Sequence, residues 1–431
     1  MILYPLYIDP GTGSMLFSIF FGVAATLYFL VRALIIKAKL MVSGGRGAVS
    51  SPERPYVIYS EGNQYWNVFK PVLDAFEKRK TALLYLSSSG DDPFFSQSYR
   101  HIRGEFIGEG NRAFARLNLL SARVVLMTTP GLDVYQLKRS KSVGHYAHIL
   151  HAPSDATMYR LFGIDYFDSI LLTGDYQAKD IRTLEIQRGL PEKKLVTVGC
   201  SYLDEYAKKI EQKKTEQNRT EQKKPEQKIE QPSGDEDHPF TVLVSPSWGK
   251  SALLSKYGAR LLDPLVKAGW PVIVRPHPQS KKSEAAVLNS LALRYRDTAN
   301  LEWDYERENT GSLARADIMI SDFSGIIFDY MFLFDKPVMY VKGKIDLRPY
   351  DAGDLGENPA EELWQFRVLR EAGVELGENF DTICAAIRGA ADNPELKAAR
   401  RRAKEEAWQY RGEAGERIAG FMISAAGDCN A

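Results

Sequence analysis

Short apolar runs alternate with amphipathic stretches along most of this chain, and this alternation constrains the fold more than any other feature. Runs of about four to six apolar residues that end in Ser, Thr or Gly are typical of parallel strands buried on both faces and connected by crossover helices. The runs before residue 208 are YVIYS, TALLYLSS, ARVVLMTT, AHILHAP, SILLTG and KLVTVG; those after residue 239 are FTVLVSPS, WPVIVRPHP, ANLEWD, ADIMISD and KPVMYV. We therefore predict an α/β fold with two Rossmann-like, doubly wound domains that face a cleft.

A polar segment separates the two series of strands. Residues 208–239 repeat Glu-Gln and contain almost no apolar residues, so this segment buries too little surface to offset its chain entropy. We predict a solvated linker or a partly helical tether there. The predicted organisation is an N-terminal membrane anchor (1–44), a first domain (50–207), the linker (208–239), a second domain (240–393) and a C-terminal closing helix (394–424).

The N-terminal region has the composition of a membrane segment. Residues 15–31 carry no charge, and residues 33–36 prolong the apolar stretch. This length is about enough to cross a bilayer core of ~30 Å, so we predict one transmembrane helix. Basic residues follow the stretch, and Asp9 is the only charge before it; the positive-inside rule then predicts an N-terminus outside the cytoplasmic membrane and the remaining chain in the cytoplasm. A buried helix of a globular domain is the alternative interpretation.

Overall composition argues against several classes of protein. The chain has 56 Lys and Arg against 55 Asp and Glu, so no global basic field favours a nucleic-acid partner. Three scattered cysteines favour a reducing compartment over a disulfide framework. The motifs of P-loop ATPases, α/β-hydrolases and zinc proteases are missing from the sequence.

Polar residues follow a buried strand of the second domain where the next helix begins. Ser321 and Asp322 end the strand, and Ser324 and Gly325 precede the helix. Backbone N–H groups and the helix dipole attract an anion at such a position, and a glycine allows a phosphate to approach closely. Caps without a ligand are the alternative interpretation of these residues.

Two more strand ends of the same domain carry suitable side chains. Arg275 and His277 lie in a proline-stiffened turn, where arginine suits phosphate recognition and histidine can donate a hydrogen bond or a proton. Ser247 and Lys250 follow another strand. A structural histidine and a solvated lysine are the alternative interpretations. Because parallel strand ends meet at one edge of a sheet, we predict a phosphate or diphosphate site there.

The first domain contains three histidines at a spacing of three residues, His145, His148 and His151. Residues three apart on a strand point to opposite faces, so we do not predict a metal site. His151 lies at the predicted strand end, where it could act as a general base toward an acceptor hydroxyl. An ordinary polar residue at a strand end is the alternative.

These motifs resemble those of the CDP-glycerol glycerophosphotransferase family, the polyol-phosphate transferases of teichoic-acid type with a GT-B fold. The similar segments are LVSPSWGKSALL, VRPHP and ADIMISDFSGIIFDYMFLFDKPVMY, with weaker likeness in YFDSILLTGDYQAKDI and VTVGCSYLDEY. The resemblance implies that His151 is the base and that His277, Ser324 and Gly325 bind phosphate. The sequence departs from the family pattern in two segments: Ala152 and Pro153 replace the usual Gly-Thr after the histidine, and Gly325 replaces a serine.

The function implied by the resemblance is transfer of a polyol phosphate. A CDP-alcohol such as CDP-glycerol would be the donor substrate, a lipid-linked or cell-surface glycan the acceptor, and CMP the leaving group, with no cofactor. A nucleotide-sugar glycosyltransferase or epimerase is a second hypothesis, since fold alone does not select the donor. A catalytically silent, membrane-anchored module that binds a nucleotide is a third.

Overall fold

The protein is described by a computed structural model that covers residues 54–221 and 239–428, without 307, 342, 344 and 357–362, and single residues between 21 and 34. It forms two compact units, residues 1–54 and 55–431. The described residues between 21 and 34 are helical, with exposed apolar side chains such as Phe21 and Leu34. Within the described part of the chain, no helix is both long and apolar enough to cross a membrane. Most of the predicted transmembrane helix lies outside the described residues.

The larger unit contains two sheets, and the first has seven strands in the order β3-β2-β1-β4-β5-β6-β7. The central strands are apolar on both faces because helices cover both sides, which explains their continuous apolar runs. The order reverses between β1 and β4, which opens a crevice at the carboxyl ends of the strands. The strands are Arg54–Ser60 (β1), Leu83–Ser87 (β2), Ile102–Phe106 (β3), Ser121–Met127 (β4), Ser142–Ile149 (β5), Ser169–Leu172 (β6) and Lys194–Thr197 (β7).

The second sheet has six strands in the order β10-β9-β8-β11-β12-β13. Their pairings are parallel, with Ile320 opposite both Val244 and Met339. The order reverses between β8 and β11, so the β11 end lies at the second crevice. The strands are Val242–Val244 (β8), Val272–Val274 (β9), Leu301–Trp303 (β10), Ile318–Ser321 (β11), Val338–Val341 (β12) and Gly373–Leu376 (β13).

Helices connect the strands and cover the sheets. They are Trp66–Lys78 (α1), Asn111–Leu117 (α2), Ala178–Arg188 (α3), Ser201–Glu221 (α4), Leu253–Tyr257 (α5), Ala259–Lys267 (α6), Ser280–Ser283 (α7), Ala285–Arg294 (α8), Thr310–Arg315 (α9), Ile326–Phe334 (α10), Trp364–Ala372 (α11), Ile383–Ala391 (α12), Pro394–Ala407 (α13) and Ala414–Asp428 (α14). Short 3-10 turns cover Asn63–Tyr65, Pro93–Ser96, Ala156–Met158, Asp175–Gln177 and Asp351–Asp354.

The predicted α/β class with parallel sheets is confirmed, and two regions add detail. Helix α4 extends into the segment expected to be a linker, as far as Glu221. The expected closing helix consists of two helices, α13 and α14. Ile418 and Met422 of α14 belong to the core of the first sheet, whereas Ala403 of α13 belongs to that of the second. The C-terminal region therefore packs against both sheets.

Candidate functional site

A cavity of about 190 Å³ lies between the β5 end of the first sheet and the β11 end of the second. Ser154 and Met158 line it from the first half of the unit, and Ser324, Gly325 and Phe328 line it from the second. The cavity thus adjoins the two strand ends at which the sequence analysis placed candidate residues.

The turn between β11 and α10 presents backbone donors to this cavity. Gly325 is the residue before α10, and the Ser324 hydroxyl makes no hydrogen bond to another described residue. The backbone of Gly325 has an ordinary helical conformation (φ −60°), and a Cβ there would meet no atom within 4 Å. The space beside Gly325 is therefore open, and the helix end can receive an anion.

Asp322 organises the site instead of facing it. Its carboxylate is 4% exposed and accepts four hydrogen bonds, from Ser247 N (2.8 Å), Ser247 Oγ (2.9 Å), Leu253 N (3.0 Å) and Phe323 N (2.8 Å). A carboxylate engaged in this way ties the loop after β8 to the turn after β11. Asp322 and Ser247, both predicted to bind phosphate, satisfy each other in the structure.

Two other predicted phosphate ligands also have internal partners. The Ser321 side chain is fully buried and donates to the Ser245 carbonyl at 2.5 Å, which joins two adjacent strands. Arg275 is 8% exposed; it pairs with Asp304 and donates from Nη2 to the Glu306 carbonyl at 2.7 Å. Arg275 therefore holds the β10 end in place. The ion pair with Asp304 neutralises its guanidinium, so Arg275 attracts a ligand only weakly.

His277 and Lys250 stay available to a ligand. The backbone N–H of Gln279 donates to Nδ1 of His277 at 3.1 Å, so the neutral ring carries its proton on Nε2. Burial lowers the pKa of His277, which favours this neutral donor. Lys250 is exposed, without an ion pair to any described residue.

Trp248 lies beside His277, although it was not predicted as a site residue. It is 52% exposed, and its ring centroid lies 6.3 Å from that of His277.

The loop after β5 is fixed by contacts with the second half. Both carboxylate oxygens of Asp155 accept backbone hydrogen bonds at the start of α11, from Trp364 N (2.9 Å) and Gln365 N (2.8 Å). The Ser154 carbonyl accepts hydrogen bonds from Tyr176 and Gln177. These contacts hold the segment that runs from His151 to the wall of the cavity.

His151 lies in an aromatic, weakly polar environment. Its ring is partly exposed and contacts Tyr65 edge-on, with 5.3 Å between ring centroids. Nδ1 lies 3.2 Å from the Tyr159 hydroxyl, which lies 3.1 Å from Nε2 of His148. Both histidines reach one hydroxyl because β5 ends at Ile149 and the chain bends before His151. His145 instead bonds to Ser169. Tyr159 was not predicted as a site residue, because no local sequence pattern connects it to the strand.

Burial keeps the imidazole rings of His148 and His151 neutral. It lowers the pKa of His151 to about 4 and, with the nearby His151, that of His148 to about 3. A neutral imidazole with one free nitrogen can accept or donate a proton, depending on its tautomer. In the described residues, no cluster of His, Cys, Asp and Glu has a geometry that could hold a metal ion.

Comparison with protein-family models identifies the second half of the chain. Residues 213–419 match the model of the CDP-Glycerol:Poly(glycerophosphate) glycerophosphotransferase family. Over these residues the chain is similar to this family. The match confirms the resemblance predicted from the sequence and includes the loops that carry Ser247, His277 and Ser324, whereas His151 lies outside the matched range. No curated protein shows significant sequence similarity to the chain.

Known structures share the fold. The wall teichoic acid polymerase TagF soaked with CDPG is 14% identical, with a TM-score of 0.56 over 92% of this chain and 98% of its own. UDP-GlcNAc 2-epimerase from Neisseria meningitidis, bound to UDP-GlcNAc, is 13% identical, with a TM-score of 0.53 over 86% of this chain and 100% of its own. These similarities establish the GT-B-like fold, and at such identities they establish only the fold.

Proposed function

We propose that the protein transfers a polyol phosphate, such as glycerol phosphate, from a CDP-alcohol to a hydroxyl of an acceptor and releases CMP. The observation that carries this proposal is the family match over the residues that form the open helix end at Ser324 and Gly325. TagF, solved after a soak with CDPG, has a similar fold, and the family match, not the fold, favours a CDP-alcohol donor. The donor is a substrate, and the proposed reaction needs no cofactor.

The donor diphosphate would bind at the N-terminus of α10. Backbone N–H groups after Ser324, the Ser324 hydroxyl and Nε2–H of His277 are donors for its oxygens, and Lys250 adds a positive charge. Asp322 and Arg275 act indirectly, because they hold the loops that present these donors. Preorganised donors of this kind stabilise charge without reorganising during the reaction.

The reaction would occur at the β-phosphorus. The acceptor oxygen forms a new bond to phosphorus, the bond from phosphorus to the bridging oxygen breaks, and that oxygen leaves with CMP. The proton of the acceptor hydroxyl would pass to His151, which lies three residues before Ser154 of the cavity wall. Most of the rate enhancement in such a transfer comes from positioning and electrostatic stabilisation.

The acceptor is proposed to be a glycan on a membrane lipid. This part rests on the uncharged stretch at residues 15–31, which would keep the enzyme at the surface that carries such an acceptor. Removal of residues 1–44 should release the protein from membranes while donor binding persists. Membrane binding that survives this truncation would contradict the proposed anchor.

Donor binding tests the proposed function directly. CDP-glycerol should raise the unfolding midpoint of the full-length protein, and UDP-GlcNAc should not, since a ligand that binds only the folded state stabilises it. Gly325→Asp should abolish the rise because a carboxylate at the helix end repels the diphosphate. A Cβ is accommodated at this position, so the variant should fold.

Gly325→Ala is the matched control, since it adds the same Cβ without a charge. Its response to CDP-glycerol should fall less than that of Gly325→Asp, because the added methyl group enters the open space at the helix end but carries no charge. Release of CMP on addition of a lipid-linked glycan then tests turnover. A midpoint that rises with UDP-GlcNAc and not with CDP-glycerol would contradict the proposed donor.

A further inference from the structure

A chain of two side-chain hydrogen bonds connects His151 to the core of the first sheet. The Tyr159 hydroxyl lies 3.2 Å from Nδ1 of His151 and 3.1 Å from Nε2 of His148. His148 is fully buried on β5, where its ring also lies 4.9 Å from that of Phe167, between centroids. The His148 ring therefore has a fixed position, and Tyr159 transmits this constraint to His151.

The chain couples the proton positions of the two histidines. A tyrosine hydroxyl has one proton, so Tyr159 donates to one ring and accepts from the other. If it donates to His148, Nδ1 of His151 carries a proton and Nε2 has a free lone pair. If it donates to His151, Nε2 of His151 carries the proton and cannot act as a base. Only the first arrangement suits proton abstraction from a hydroxyl.

We propose that Tyr159 and His148 are positioning residues that keep the proton of His151 on Nδ1, so that Nε2 accepts the proton of the acceptor hydroxyl. This inference rests on the proposed function, because it requires His151 to be the base. The proton moves from the acceptor oxygen to Nε2, and the positive charge stays on His151. Passing the charge along the chain would place it on His148, which has no contact with solvent.

The arrangement has an identifiable cost. It requires His148 to carry its own proton on Nδ1, and this atom is buried without a hydrogen-bond partner among the described residues. A buried donor without a hydrogen-bond partner is unfavourable. Measuring the tautomer of His148 is therefore the most direct test of the proposal. Burial lowers the pKa of both rings, which leaves tautomers as the states to be distinguished at neutral pH.

Nitrogen NMR on the full-length protein with labelled histidine measures these tautomers. The chain has six histidines, and His148→Gln and His151→Gln variants assign the two signals. The proposal expects Nδ1–H on both rings at pH 7. Nε2–H on both rings would overturn it, because His151 would then be a donor in the resting enzyme.

Kinetics of Tyr159→Phe provide the second test. The variant keeps the ring and removes the hydroxyl, so we expect kcat to fall roughly 10- to 100-fold, below the full contribution of a general base, with little change in KM. Tyr65→Phe is the matched control, since Tyr65 contacts the same imidazole with its ring and forms no hydrogen bond to it among the described contacts. The control should leave kcat close to that of the unchanged protein, because the ring that contacts the imidazole remains.

The outcomes separate this inference from the proposed function. An unchanged kcat in Tyr159→Phe, with an inactive His151→Ala variant, would overturn the inference alone. An active His151→Ala variant would overturn both the base and its positioning. A kcat loss in Tyr159→Phe together with a change of the His151 tautomer would support the proposal.

Discussion

The strand end after β5 and the strand end after β11 use polar residues in opposite ways. At the first, histidine and tyrosine side chains form a neutral chain among aromatic rings, and the candidate base is a side chain. At the second, the polar side chains satisfy one another, and the free donors are backbone N–H groups at a helix end. A polar residue at a strand end can therefore have one of two roles. It contacts a ligand itself, or its hydrogen bonds hold the loop whose backbone contacts the ligand.

The two regions should also differ in which kinetic constant they control. His151→Ala should lower kcat by roughly 10²- to 10⁴-fold, the contribution of a positioned general base. His277→Ala removes one hydrogen bond to a charged group and should lower kcat/KM roughly 10- to 150-fold. Steady-state kinetics with CDP-glycerol and a lipid-linked acceptor measure both effects.

His101→Ala is the control for this comparison, because His101 lies at the opposite, amino end of a strand and pairs with Glu77. Its kinetic constants should stay close to those of the unchanged protein. A larger loss in His277→Ala than in His151→Ala would reverse the assignment of chemistry to the first region and binding to the second.

Asp322→Asn tests whether this carboxylate holds the loops after β8 and β11 together. The amide replaces an oxygen that accepts from Ser247 and Leu253 by a group that cannot accept. We expect the free energy of unfolding in urea to fall by about 1–3 kcal/mol, and donor binding to weaken as the loops separate. Asp297→Asn, at an exposed ion pair, should change stability by less than about 0.5 kcal/mol. Equal stability of the two variants would show that Asp322 does not organise the site.

Burial shifts the pKa values of a carboxyl group and of the histidines in opposite directions, because it disfavours the charged form of each. It raises the pKa of Asp329 on α10 to about 7, and this carboxyl accepts from the Tyr202 hydroxyl at 2.9 Å. The folded state binds the proton more tightly than the unfolded state, so this contribution to stability is lost as pH rises from about 4 to about 7. The histidines of the first region have lowered pKa values, so their contribution rises with pH.

The stability of Asp329→Asn relative to that of the unchanged protein should therefore be higher at pH 8 than at pH 5. We expect a difference in unfolding midpoint of about 2–4 °C for each kcal/mol involved, measured by thermal unfolding across this pH range. Asn retains an oxygen that accepts from Tyr202, so the hydrogen bond persists. A midpoint difference that does not depend on pH would show that the folded state does not raise the pKa of this carboxyl.

Most of the fold follows from local patterns, and the omissions have a physical reason. The buried central strands have continuous apolar runs, so they were predicted. The edge strands β3 and β13 were not predicted, because exposed positions interrupt their apolar pattern. The extension of α4 toward Glu221 was expected only in part, since its sequence is strongly polar.

The candidate site was predictable in position and less so in detail. Candidate polar residues follow β8, β9 and β11, and these three strands are neighbours in the second sheet. Ser321, Asp322 and Arg275 were predicted to bind a ligand, whereas each has protein partners from another strand end or loop. Trp248 and Tyr159 were missed because neither belongs to a motif with a chemical role.

The sequence by itself determined the α/β class, the resemblance to the transferase family and the strand ends that surround the site, because periodic burial and local turn chemistry are encoded over a few residues. Only the tertiary structure decided which polar groups stay free. A hydroxyl, carboxylate or guanidinium buried during folding must find a partner, and that partner often lies far away along the chain, as Ser247 does from Asp322. The side chain of His151 acquires its hydrogen-bonded environment in the same way, from a tyrosine beyond the end of its own strand.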